Sequence, residues 1–127
     1  MNSEIAPTSI APTAANYAHA ILSEGATRIV HTSGVVPIAA DGSVPTDLAE
    51  QAATVWSNLR AILESAQMTV TDVVSVTTYV VVGEPLGPVM AARDAALRGH
   101  RAASTLVTVP ALARPEWRME IALVAVR

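Results

Sequence analysis

The sequence predicts an α+β domain in which two helices cover one face of a mixed β-sheet. Three observations support this class: an amphipathic stretch at residues 47–66, a shorter helical pattern at residues 84–98, and β-branched runs around them. Because 127 residues is close to the commonest domain size, we expect residues 1–127 to form a single domain.

The N-terminal part is predicted to contain an extended arm followed by a β-hairpin. Residues 1–16 are rich in Pro, Ala, Ser and Thr, which is typical of a loosely held arm. Residues 17–22 and 27–34 have strand-like patterns with a turn at Glu24-Gly25-Ala26 between them, so we expect them to pair with each other. The Asp-Gly pair at 41–42 predicts a further turn.

The clearest predicted element is a helix over residues 47–66. Its apolar residues recur at spacings of three, four and seven, which places them on one helix face. These residues are Leu48, Ala52, Val55, Trp56, Leu59, Ile62 and Leu63. Thr46 or Asp47 can cap the helix, and Glu50 stands three residues after Asp47, as in a capping box.

The second half of the chain is predicted to form strand, helix, strand, strand. Residues 72–83 are dense in β-branched side chains that do not alternate cleanly with polar ones, so we expect a strand buried on both faces. Residues 84–98 predict a helix that begins near Pro88. Two closing strands are predicted at residues 104–109 and 118–126.

The composition favours an assembly of identical subunits. Apolar residues make up 51% of the chain and charged residues 15%, against about 25% charged residues in ordinary soluble domains. A lone domain of this kind would expose much aliphatic surface, and large exposed apolar patches usually mark interfaces. A strand buried on both faces also needs a second covering layer. We therefore expect a homo-oligomer.

Several functional classes are disfavoured by the sequence. The net charge of −3 and the lack of a basic run argue against nucleic-acid binding. Cysteine is absent, and His19, His31 and His100 match no metal-ligand spacing, so we expect no metal site. We see no secretory signal and no apolar run approaching the ~18 residues of a membrane span. A cytoplasmic protein without a membrane partner is expected.

Glu120 is a candidate functional residue because it lies in an otherwise apolar strand segment. A buried carboxylate without a partner is costly or becomes neutral. Glu120 must therefore be in an ion pair, for which an arginine is the natural partner, solvated in a cleft, or placed at a subunit interface. Perturbed carboxylates cluster at functional sites, which keeps a catalytic role open beside a structural one.

Several short segments, in this order and spacing, resemble the Rid family of reactive-intermediate deaminases, also called YjgF-type proteins. The resemblance extends from about Ala11 to Val126. Its landmarks are Tyr17 after the Pro-rich arm, TSGVVP at 32–37, the Asp-Gly turn, NLRAILESA, TDVVSVTTYV and MEIALVAV.

The resemblance implies a chorismate-mutase-like fold assembled as a homotrimer, with a small-molecule cleft at each subunit interface. Active members of the family hydrolyse enamines or imines such as 2-aminoacrylate to a keto acid and ammonia, without a cofactor. An arginine holds the substrate carboxylate, a glutamate positions the attacking water, and a tyrosine and backbone amides complete the cleft.

The resemblance assigns a role to four residues of this chain. Glu120 falls on the glutamate of the family and Tyr17 on the tyrosine of the cleft, which makes these two the candidate catalytic residues. Ser33 and Gly34 fall on the turn that lines the pocket, so they are candidate substrate-binding residues.

The arginine of the family is replaced in this chain. Its Pro-Ala-Arg-Ser/Thr stretch corresponds to residues 102–105, so Ser104 stands at the arginine position and Thr105 follows it as a second candidate substrate-binding residue. Arg101 falls on the opposite face of an extended strand and Arg114 falls in a turn, so neither is well placed to replace the charge. A substrate without a carboxylate is therefore expected, and 2-aminoacrylate should be a poor one.

The sequence leaves three functions open. The first is a hydrolase for a small imine, enamine or related metabolite, with Glu120 as general base. The second is a non-catalytic trimer that binds a small metabolite in the same cleft. The third, ribonuclease activity, is disfavoured by the net negative charge.

Overall fold

Two helices and six strands are present in the computed structural model, which describes all 127 residues. In chain order they are β1 (Asn2–Ile5), β2 (Ala20–Ser23), β3 (Ile29–His31), α1 (Leu48–Ser65), β4 (Val73–Val81), α2 (Gly87–Leu97), β5 (Ala103–Val109) and β6 (Met119–Val126). The predicted α+β class is confirmed.

The main sheet has four strands in the order β3-β6-β4-β5. Strands β4 and β5 are parallel, while β6 is antiparallel to both of its neighbours, so the sheet is mixed as predicted. Parallel strands cannot be joined by a tight turn, and α2 provides the crossover between β4 and β5. No helix of the protein is long and apolar enough to pass through a membrane.

The hydrophobic core lies between the helices and one face of this sheet. Six of the seven stripe residues predicted on α1 are buried, and only Ile62 is exposed. They pack against alternate residues of the central strands, such as Val76 and Val80 of β4 and Ile121 of β6. The helical period of α1 and the two-residue period of the strands therefore bring one layer of apolar side chains together.

Local signals place the ends of the helices and the turn before α1. Asp47 is the N-cap of α1, and its carboxylate accepts a hydrogen bond from the Glu50 amide at 3.1 Å. Pro88 lies in the first turn of α2, where its missing N–H has no cost. In the predicted Asp-Gly turn, hydrogen bonds from the Ser43 hydroxyl and amide hold the pKa of the Asp41 carboxyl below its ordinary value.

The predicted N-terminal hairpin is wrong. Strand β2 pairs with β1 in a separate two-stranded sheet, whereas β3 pairs with β6 at the edge of the main sheet. Residues 2–5, predicted to belong to a loose arm, supply the hydrogen-bonding partners of β2. A short strand pattern predicts an extended backbone but not its partner. The amides of Thr27 and Arg28 donate to the Arg127 carbonyl, which directs the chain to β6.

Strand β4 is covered on one face only within the subunit. Val76, Thr78 and Val80 are buried towards the helices, while the alternate side chains Thr77 and Tyr79 are half-buried on the opposite face of the sheet. We call this second surface the open face. A covering layer on the open face, and with it the trimer, remains a prediction.

Candidate functional site

Glu120 lies on the open face beside the segment that contains Gly34. Residues 32–35 run along β6, where the Val35 amide donates to the Ile121 carbonyl at 2.7 Å and the Ile121 amide donates back at 3.1 Å. A Cβ on Gly34 would overlap Oε2 of Glu120 and lie 2.9 Å from its Cδ. The φ angle of Gly34 is not in the left-handed region, so space rather than backbone conformation requires glycine here.

The Glu120 carboxylate has no cation beside it within the subunit. The acidic partners of the four ion pairs are Glu4, Asp72, Glu84 and Asp94. The interpretation of Glu120 as half of a structural ion pair therefore does not hold within the subunit. Its half-buried carboxylate is available to a water molecule, a ligand or a second chain.

A second group of predicted residues forms a pocket of about 330 Å³ between the N-terminal segment, α2 and β5. The pocket is lined by Ala14, Ala15, Tyr17, Leu86, Met90, Arg93, Ser104 and Leu106. Tyr17 is held at this position because the amide of the next residue, Ala18, donates to the Ala102 carbonyl at 3.0 Å. Tyr17 and Ser104, predicted to share a cleft, do line one pocket.

The predicted site residues nevertheless fall on two sides of the sheet. Ser104 pairs with Val76, whose side chain points to the helices, whereas Glu120 pairs with Tyr79 on the open face. Thr105 pairs with Thr77 and therefore shares the open face with Glu120, not the pocket with Ser104. One subunit alone does not bring Glu120 and the pocket into a single cleft.

Arg93 is the pocket residue that the sequence did not single out. Its side chain is only 7% exposed, and Nη1 lies 3.5 Å from Oγ of Ser104. A signal was present in the sequence: Arg93 stands four residues after Val89 and three before Ala96, within the buried stripe of α2. An arginine in such a stripe needs a polar partner or a functional reason.

The two arginines considered from the sequence are both engaged elsewhere. Arg101 binds the N-terminal segment: its Nη2 lies 3.1 Å from Oε1 of Glu4 and 2.6 Å from the Tyr17 carbonyl. Arg114 lies over the ring of Trp117, 5.5 Å from its centroid. Neither guanidinium reaches the pocket at Ser104.

The histidines and acidic residues form no cluster of three or more that could hold a metal ion. His19 bonds through Nε2 to the Ala11 carbonyl at 2.8 Å, and His100 bonds through Nε2 to the Val73 carbonyl at 2.7 Å. Both therefore connect segments of the backbone.

Two helices that cover a mixed sheet define a class of small α+β domains. In this chain a small pocket lies beside the crossover helix, and an unpaired carboxylate lies on the open face. Within that class the chain belongs to the Rid, or YjgF-type, family. The family model described as Endoribonuclease L-PSP matches residues 8–127.

Two curated relatives illustrate the family. The 2-iminobutanoate/2-iminopropanoate deaminase of Escherichia coli is 34% identical over 104 residues, which is 79% of this chain and 80% of the relative. A RutC family protein of Haemophilus influenzae is 36% identical over 81 residues, covering 63% of this chain and 57% of that protein.

Solved structures show the same fold. The Rid family protein YyfB from Yersinia pestis superposes with a TM-score of 0.89 at 32% identity, covering 99% of this chain and 98% of the other. The crystal structure of E. coli TdcF with bound serine superposes with a TM-score of 0.73 at 25% identity, covering 96% of this chain and 93% of TdcF.

Proposed function

We propose that this protein hydrolyses a small imine, or its enamine tautomer, to a carbonyl compound and ammonia, in a cleft formed where subunits of a trimer meet. The observation that carries this proposal is the Glu120 carboxylate, which lies against Gly34 on the open face and has no cation beside it in the subunit. The deaminase name of the E. coli relative supports the reaction class.

The chemistry needs one water and one group that moves protons. The water oxygen forms a bond to the imine carbon, the electrons of the C=N double bond move to nitrogen, and Glu120 accepts a proton from the water. Glu120 then returns this proton to nitrogen, which gives a carbinolamine with an –NH2 group. Glu120 next takes the hydroxyl proton of the carbinolamine and passes it to the nitrogen, the C–N bond breaks, the C=O double bond forms and NH3 leaves. A carboxylate in this role is general acid–base catalysis.

The arrangement of the two groups supports a cleft between subunits. Glu120 lies on the open face, whereas Tyr17 and Ser104 line the pocket on the other side of the sheet. A complete cleft can therefore combine Glu120 of one chain with the pocket of a neighbouring chain. The serine in the TdcF crystal supports a small ligand of amino-acid size.

The proposal is tested with imines generated in solution by an amino-acid oxidase. We expect the protein to accelerate the loss of imine, and the formation of carbonyl product and ammonia, over the rate in buffer alone. Binding of a small ligand without acceleration would replace the hydrolase with the non-catalytic metabolite-binding trimer. Cleavage of RNA without any effect on imines would overturn both interpretations.

A further inference from the structure

We propose that Arg93 supplies the positive charge of the pocket from helix α2, so that the pocket binds the carboxylate of a short organic acid although Ser104 is neutral. The inference rests on the proposed function in one respect: we take the acid that binds to be the imine that reacts. The binding of a carboxylate is measurable whether or not catalysis occurs.

The guanidinium of Arg93 is buried. Arg93 is one of four buried polar or charged residues in the subunit, and its side chain is 7% exposed. A guanidinium removed from water needs its N–H groups satisfied, because a buried charge without partners is costly. The position of Arg93 is fixed by the packing of α2 on the core, with Val89 and Ala96 on the same face.

The N–H donors of Arg93 are only partly used within the subunit. Nε and Nη2 both donate to a single oxygen, Oδ1 of the neighbouring Asp94, at 3.2 and 3.1 Å. Nη1 reaches Oγ of Ser104 at 3.5 Å, which is at the long limit of a hydrogen bond. The Asp94 side chain is 43% exposed, so water screens its attraction. The N–H groups of Arg93 that face Ser104 therefore have only a weak hydrogen-bonding partner within the subunit.

The pocket around Arg93 and Ser104 has the size and lining of a site for a small anion. Its volume of about 330 Å³ is at the small end of ligand sites, and none of its lining residues is acidic. Tyr17 and Ser104 add hydroxyl groups, and the remaining lining side chains are apolar. A planar guanidinium pairs well with a planar carboxylate, and the apolar walls suit a short hydrocarbon chain.

This position of Arg93 changes the expectation drawn from the sequence. The prediction of a carboxylate-free substrate rested on a neutral residue at position 104 and on the distance of Arg101 and Arg114. The structure places a different guanidinium 3.5 Å from Ser104, on the crossover helix. The basis for excluding carboxylate-bearing imines is therefore removed.

The test compares binding of 2-oxobutanoate with that of its uncharged amide, by calorimetry or by NMR titration. The wild type should bind the acid more tightly than the amide. Arg93→Gln should weaken binding of the acid by about 30-fold or more and leave the amide unchanged, because a charged partner of the carboxylate is lost. Arg60→Gln removes an exposed arginine of α1 and is the matched control, with no change expected.

One further variant keeps the proposal testable if Arg93→Gln does not fold, and a second tests whether the charge can be restored from another position. Asp94→Asn removes the exposed carboxylate that competes with the ligand for the guanidinium of Arg93. Binding of the acid should therefore become several-fold tighter. The double variant Arg93→Gln/Ser104→Arg moves the charge to the strand and should restore binding of the acid. Unchanged affinity for the acid in Arg93→Gln or in Asp94→Asn, or an equal loss for acid and amide in Arg93→Gln, would overturn the proposal.

These outcomes separate the two proposals. If wild-type protein does not hydrolyse imines but Arg93→Gln loses binding of the acid selectively, the hydrolase function fails and the carboxylate site stands. If wild-type protein hydrolyses imino acids and Arg93→Gln retains the same KM, the function stands and the assignment of Arg93 fails.

Discussion

The carboxylate of Glu120 fills the space that a side chain at position 34 would occupy. Gly34 is held there by the hydrogen bonds between Val35 and Ile121, and Glu120 is the neighbour of Ile121 on β6. The two positions are therefore coupled: any side chain at 34 must displace the carboxylate.

Gly34→Ala should lower imine hydrolysis much more than it lowers stability. The new Cβ meets the far end of a flexible side chain, so the carboxylate moves away while the backbone stays in place. We expect a change in unfolding free energy within about 1 kcal/mol. Thermal unfolding and kcat measure the two effects. Gly87→Ala is the control, since nothing lies within 4 Å of its added Cβ, and full activity of Gly34→Ala would contradict the coupling.

Glu120→Gln should reduce kcat by about 10²- to 10⁴-fold, the usual contribution of a general base. Since no ion pair within the subunit involves Glu120, the melting temperature should change little. Steady-state kinetics with imines generated in solution measure the loss. Glu64→Gln removes an exposed carboxylate of α1 and should behave as wild type. A Glu120→Gln variant that hydrolyses imines at the wild-type rate would remove this residue from the proposed mechanism.

Arg101→Met should loosen the N-terminal segment that carries Tyr17. Arg101 binds both Glu4 and the Tyr17 carbonyl, so its loss frees β1 and the wall of the pocket together. Amide hydrogen exchange should rise in residues 2–5 and 20–23. Glu4→Gln removes only a partly exposed ion pair worth about 0–1 kcal/mol and should have a smaller effect. Equal exchange in both variants would limit the role of Arg101 to that ion pair.

Val107→Glu should disrupt the assembly of subunits. Val107 pairs with Tyr79 on the open face and is 38% exposed in the single subunit. A carboxylate there would have to be desolvated in any interface formed by this face. Light scattering should give three times the chain mass for wild type and a smaller species for the variant. Val82→Glu is the control, since it places the same charge at a more exposed valine outside the strand. A monomeric wild type would refute the trimer.

The elements set by local chemistry were predictable, and those set by long-range pairing were not. The predicted helix at residues 47–66 matches α1, because its apolar stripe and its Asp47 cap are contained in the segment itself. The partner of β2 depends on a strand near the N terminus whose sequence has no apolar alternation. No local pattern distinguishes that pairing from a hairpin.

In the candidate site, too, some features were predictable from the sequence and others depend on long-range packing. The proximity of Tyr17 and Ser104 was predictable from the family resemblance, and the structure places both on one pocket. The separation of Thr105 from Ser104 follows from the alternation of side chains along β5, which sequence similarity alone does not consider. Arg93 lies in α2, and only the packing of that helix beside β5 brings it to Ser104.

The crossover helix allows this fold to change what it recognises without changing how it is built. The backbone ladder between β4 and β5 uses only main-chain groups, and it is indifferent to the side chain at position 93. A charge carried by α2 can therefore be gained or lost while the hydrogen-bonding ladder of the sheet stays the same. Related domains can inherit one scaffold and diverge in ligand preference through the helix alone.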